Sequence, residues 1–214
     1  MKKMILVLLI IIVVISYGAE KEKPEIKYGL SGGLGTNSFN SLHYLGIMPI
    51  KLEFKVYHKD IDMGLISCLF GKSVHETSLI YAFSGEKKYK DGLGWTVGKP
   101  GNVAHITSGK YSSIGFKSSW YFFERFKEDG FSTGIFMDFI NIDQPSNNSG
   151  FGGFDIGVDV GCHMKLEENF ILDCYIAPVY SQINRAKVNG ETAKLNDVES
   201  DFKVNLGGQI SYYF

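Results

Sequence analysis

The chain ends Asp201-Phe-Lys-Val-Asn-Leu-Gly-Gly-Gln-Ile-Ser-Tyr-Tyr-Phe214, and the reading of this stretch decides the fold. Phe202, Val204, Leu206, Ile210, Tyr212 and Phe214 share one parity; Lys203, Asn205, Gly207, Gln209, Ser211 and Tyr213 share the other. Successive side chains of a strand point to opposite faces, so this segment has one apolar and one polar side. Such a strand separates two unlike environments. An edge strand of a soluble sandwich would alternate in the same way, so the rest of the chain must discriminate.

Working back from the terminus, the same alternation marks eight candidate strands: 25–35, 49–58, 62–71, 110–125, 130–142, 151–166, 169–180 and 201–214. Most are close to the 9–11 residues that a tilted strand needs to cross a bilayer core. Short links are expected at 58–62, 126–130 and 166–169, and long ones at 36–48, 72–109, 143–150 and 181–200. Outer-membrane barrels place short turns on the periplasmic side and long loops outside. The expectation is therefore an all-β, eight-stranded, antiparallel up-and-down transmembrane barrel. The stretch 77–83 reads as an arm of a protruding hairpin within the 72–109 loop; a ten-stranded barrel, with 103–108 as another short strand, is the alternative.

The start of the chain carries Lys2 and Lys3, then an apolar run from Ile5 to Ile15, then Ser16 and Gly18. This is the layout of a cleaved signal peptide over 1–18, leaving 19–214 as one barrel domain. The apolar run falls short of the ~20 residues of a spanning helix. Formal net charge is −1, so nothing points to nucleic acid, and 25 Gly, 12 Tyr and 16 Phe suit a barrel with a crowded lumen and aromatic girdles.

On these features the chain resembles the small outer-membrane barrels: the OmpA transmembrane domain, OmpX, OmpW and the opacity-type surface proteins. In that group the last strand ends on an aromatic residue read by the barrel-assembly machinery, which implies the same for Ile210, Tyr212 and Phe214. The fuller signal has Gly five residues before the end, where this chain has Gln209. The resemblance implies a monomer in the outer membrane of a Gram-negative bacterium, in contact with outer-membrane lipids including lipopolysaccharide. It carries no activity.

Parity also sorts the charges. Lys27, Lys51, Glu53, Lys55, Lys117 and Lys203 are expected to face inward, with Asp138, Asp155, Asp159, His163 and Asp173. Four of the five Lys fall on strands one, two and eight, and four of the five acids on strands five, six and seven. Opposed charges could meet across the axis as an ionic plug, because eight strands enclose a space that side chains just fill. Alternatively they line a narrow, porin-like channel for small solutes or ions. Lys87, Lys88, Lys90 and Trp95 are candidate contacts of an exposed loop with lipopolysaccharide or an extracellular ligand.

The five His show no metal-ligand spacing, and no cofactor motif is present. Some eight-stranded barrels are lipid A deacylases with a strand-borne His-x-Ser. Here His163-Met-Lys165 and His105-Ile-Thr107 do not match, and a pair of His163 with Asp159 reads as a lumenal hydrogen bond. The expectation is a non-enzymatic surface protein, with a lipid-modifying enzyme as the remote alternative. A three-residue link after Leu166 sets a register that places Cys162 opposite Cys174, as a disulfide or as two lipid-facing thiols. Cys68 makes the cysteine number odd.

Overall fold

A computed structural model of the chain describes residues 26–37, 49–59, 74–96, 103–121, 126 and 129–214. Eight strands form one closed antiparallel ring: β1 (Ile26–Asn37), β2 (Ile50–His58), β3 (Val74–Thr96), β4 (Val103–Tyr121), β5 (Gly130–Gln144), β6 (Ser149–Lys165), β7 (Phe170–Val188) and β8 (Glu191–Tyr213). Each strand pairs with its neighbours in sequence, and β1 closes on β8 with Gly29 opposite Tyr213 and Asn37 opposite Asn205. Closure leaves no open sheet edge, the condition for a sheet to enter lipid.

The alternation read from the sequence is the alternation of the wall. Leu30, Leu52, Ile135, Val158, Ile176 and Ile210 are among the large apolar residues exposed on the outside. A patch of that extent on every strand is satisfied by hydrocarbon, not water. Two aromatic tiers border it. Phe170, Tyr212 and Phe214 pack at the end nearer the chain termini, and Phe154, Tyr180 and Phe202 at the other. This is a transmembrane barrel.

The third strand differs from the expectation. The stretch 62–71 lies outside the described residues, and 74–83, expected within a loop, forms the wall between β2 and β4. Its register puts His58 opposite His75 and Val74 opposite Tyr121. In β3, Glu76, Ser78, Ile80 and Ala82 face the lumen, and Leu79 and Tyr81 face out. A single ring of eight forms, not ten.

The expected long loops at 72–109, 143–150 and 181–200 are corrected in the same way. They are mostly strand, because β3 with β4, β5 with β6, and β7 with β8 continue as hairpins past the apolar belt. The turn between β5 and β6 is one 3-10 turn at Pro145–Asn147, and Asn189 and Gly190 alone join β7 to β8. Asn189 and Gly190 both take positive φ (50° and 90°), as a two-residue hairpin turn requires. Residues 59–73 separate β2 from β3, where the sequence predicts the short link 58–62.

The hairpin register expected from the sequence holds: Leu166 N–H donates to Phe170 O at 2.9 Å, Met164 faces Leu172, and Cys162 faces Cys174. Both thiols are free and exposed on the lipid side. In a Cys68→Ser background, both are expected to react with a membrane-soluble maleimide in folded protein. Mass spectrometry that finds a disulfide there would contradict this arrangement.

Candidate functional site

The lumen holds the charges that parity placed there. Glu53, Lys55, Asp155, Asp159, His163, Asp173 and Lys203 are buried, Lys117 is 8% exposed, and Lys51 and Asp138 are half-buried. Four of them form two close pairs, while Asp138 Oδ1 is buried with no hydrogen-bond partner among the described residues. Lys117 Nζ lies 2.5 Å from Asp159 Oδ2, and Lys203 Nζ 2.5 Å from Asp155 Oδ2. Each spans from one strand to the next but one, β4 to β6 and β8 to β6, so the pairs brace the wall across an intervening strand. Ser181 Oγ donates to Asp155 Oδ1 at 2.6 Å.

A second knot crosses the axis. Lys55 Nζ on β2 reaches Asp173 Oδ2 on β7 at 3.3 Å, Glu76 Oε1 at 3.4 Å and Glu53 Oε2 at 3.5 Å. Lys51 Nζ joins Glu53 at 2.7 Å, and Gln209 Nε2 donates to Glu53 Oε2 at 3.1 Å. The Lys27 ammonium sits 4.0 Å above the Phe126 ring at the barrel's mouth.

Glu76 is absent from the set of charges expected in the lumen, because its strand reads as loop in the sequence. The hydroxyl of Tyr121 donates to it at 3.0 Å, and Tyr213 donates to its other oxygen. The alternation of Glu76, Ser78, Ile80 and Ala82 with Thr77, Leu79, Tyr81 and Phe83 is the signal that marks it.

Two apolar clusters lie beyond the charges. At the mouth near the termini, Tyr57, Tyr121, Ile171 and Tyr213 are buried together with Phe126 packed against them. Phe126 meets Tyr57 and Tyr213 edge-on, at 4.7 and 4.9 Å between ring centroids. At the far end, Ala82, Ile106, Ile140, Ile142, Phe151 and Ile183 form part of a larger buried core. A β-bulge on β7, where Asn184 is skipped between Ile183 and Arg185, lets Ile183 and Ala186 both face in.

Between these clusters is a cavity of about 40 Å³ bordered by Lys51, Lys117, Asp138, Asp159 and Tyr175. Tyr175 fills much of the space beside it. Its ring packs on Gly207, where a Cβ would overlap the phenol, and the ammoniums of Lys51 and Lys117 lie 4.9 and 5.4 Å from the ring.

No family model matches the chain, and no curated protein matches its sequence. Solved structures do. The likeness is one of fold. Neisserial surface protein A is 14% identical, with 90% of this chain and 100% of that chain covered and a TM-score of 0.47. A major outer membrane protein of Thermus thermophilus is 14% identical, over 88% and 99%, also at 0.47. Ail, the attachment invasion locus protein of Yersinia pestis, is 12% identical, over 89% and 97%, at 0.39.

Among the described residues, no group of three His, Cys, Asp or Glu converges as a metal site. His163 stands directly across from Asp173, and its ring meets Tyr121 edge-on at 5.3 Å. Of the expected loop contacts, Lys87, Lys88, Lys90 and Trp95 all fall on β3; Lys88 is exposed and Lys87 half-buried, while the side chains of Lys90 and Trp95 lie outside the described residues.

Proposed function

We propose that this chain is an exported outer-membrane surface barrel whose lumen is an ionic plug, neither a channel nor a reaction chamber. The observation that carries this reading is the pairing of lumenal charges between two apolar clusters. Paired charges remove the cost of burying each alone, and apolar closure at both ends denies ions a continuous wet path. Function then belongs to the surfaces: the belt toward lipid, and the protruding hairpins with Lys87 and Lys88 toward lipopolysaccharide or an extracellular ligand. The terminal Ile210, Tyr212 and Phe214 are the proposed signal for the barrel-assembly machinery.

The test is planar-bilayer conductance of protein shown to be folded. Silence is expected at all voltages the bilayer tolerates. Stable, ion-selective current steps would overturn the plug and install the channel in its place.

A further inference from the structure

Going beyond the plug, one arrangement on the outer wall has the geometry of a reactive site. His75 Nε2 and Ser118 Oγ are 2.6 Å apart, on β3 and β4. Both have outward parity: Ser118, half-buried, shares that of Ile114 and Phe116 and lies across from the exposed Ile135 on β5, and His75, 2% exposed, shares that of Leu79 and Tyr81. His75 faces Trp120 across β3 and β4 and His58 across β2 and β3. Its ring is held between them, with centroids 5.6 Å from Trp120 and 6.3 Å from His58. Trp120, two residues along the same face from Ser118, has an indole N–H that is buried with no partner. The imidazole Nδ1 is likewise buried and unpartnered.

We propose that Ser118 and His75 form a nucleophile–base dyad that hydrolyses acyl esters of membrane lipids. A serine is a weak nucleophile until a base within hydrogen-bond reach takes its proton. With the proton on Nδ1, Nε2 accepts the Ser118 hydroxyl. Ser118 Oγ bonds to the ester carbonyl carbon as its proton passes to His75 Nε2. The Trp120 N–H is the available donor to the resulting oxyanion. Collapse breaks the ester C–O bond, and the leaving alcohol takes the proton from His75. Water then attacks the acyl-serine, His75 accepting its proton and returning it to Ser118. The balance is ester plus water to acid plus alcohol.

The substrate class follows from position. Ser118 sits one outward step above Trp120 and level with lipid-facing Ile135, near the border of the apolar belt. Glycerolipid esters lie at that boundary between headgroup and chain. Among the described residues His75 has no acidic orienter: Glu76, its neighbour, points into the lumen to Tyr121 and Tyr213. Turnover is therefore expected to be slow.

The experiment uses the full chain folded in detergent–phospholipid micelles, with folding read by heat-modifiable gel mobility. A serine-directed fluorophosphonate and a fluorogenic glycerophospholipid are the probes. The adduct on wild-type protein is expected at Ser118 by peptide mass spectrometry. Ser118→Ala and His75→Gln should lose labelling and turnover, while Ser112→Ala, on the same face, keeps both. Folded wild-type protein that is neither labelled nor active overturns the dyad, as does an adduct mapped to any other residue. Neither result touches the plug, which conductance tests separately.

Discussion

Gly115→Val is expected to prevent the barrel from closing. Gly115 lies opposite Asp138 on the paired strands β4 and β5, and a Cβ there would overlap Met137 O and the Asp138 carboxylate and stand 2.7 Å from Asp138 Cα. Two of these are backbone atoms, so no rotamer change makes room. Overpacking a well-filled interior costs about 1–3 kcal/mol where side chains can yield, and more where the backbone must. The strands would have to separate where Lys117 and Asp138 enter the lumen. Heat-modifiable mobility after refolding into vesicles should show no folded band. If the variant folds with wild-type urea stability, the spacing of β4 and β5 is looser than described. Gly207→Val should be milder, because the atoms it meets belong to the tip of Tyr175.

The second large effect concerns charge. Lys117→Met removes the ammonium 2.5 Å from Asp159, whose side chain is 3% exposed. A buried carboxylate stripped of its partner costs about 3–5 kcal/mol. Urea unfolding from vesicles should read a loss of that size. The double variant Lys117→Met with Asp159→Leu should recover most of it, because two apolar side chains need no counter-charge. A single substitution costing under about 1 kcal/mol would mean that water solvates Asp159. That outcome would agree with a conducting lumen and contradict the plug.

These two variants separate what the wall and the lumen contribute. Gly115 acts on strand spacing, and any side chain there is harmful. Lys117 acts through one partner, and harm disappears with that partner.

Period-two patterning was enough to identify a barrel wall, because each strand meets lipid and lumen along its own length. The choice of face is therefore local. The apolar residues of 202–214, 154–164 and 170–176 face as their parity says. The Cys162–Cys174 register was legible for the same reason: a three-residue link sets it without help from the rest of the fold.

Identity of the third strand was not local. The stretch 62–71 is more apolar than 74–83, yet β2 and β4 pair with the latter. A strand that must present Glu76 to Lys55 and Tyr213 cannot advertise itself by hydrophobicity. Extension of the hairpins past the belt was hidden too, since the alternating polar and apolar signal changes meaning once lipid is replaced by water outside and an apolar core within.

The sequence by itself determined the closed-barrel class and, outside the third strand, the lipid-facing side chains and the inward charges other than Glu76. Only the tertiary structure decided who meets whom: Lys55 with Asp173, 118 residues away, and His75 with Ser118, 43 residues away. Side-chain facing is a property of one strand and its two solvents. Partnership depends on the stagger of the whole ring, which no single segment encodes.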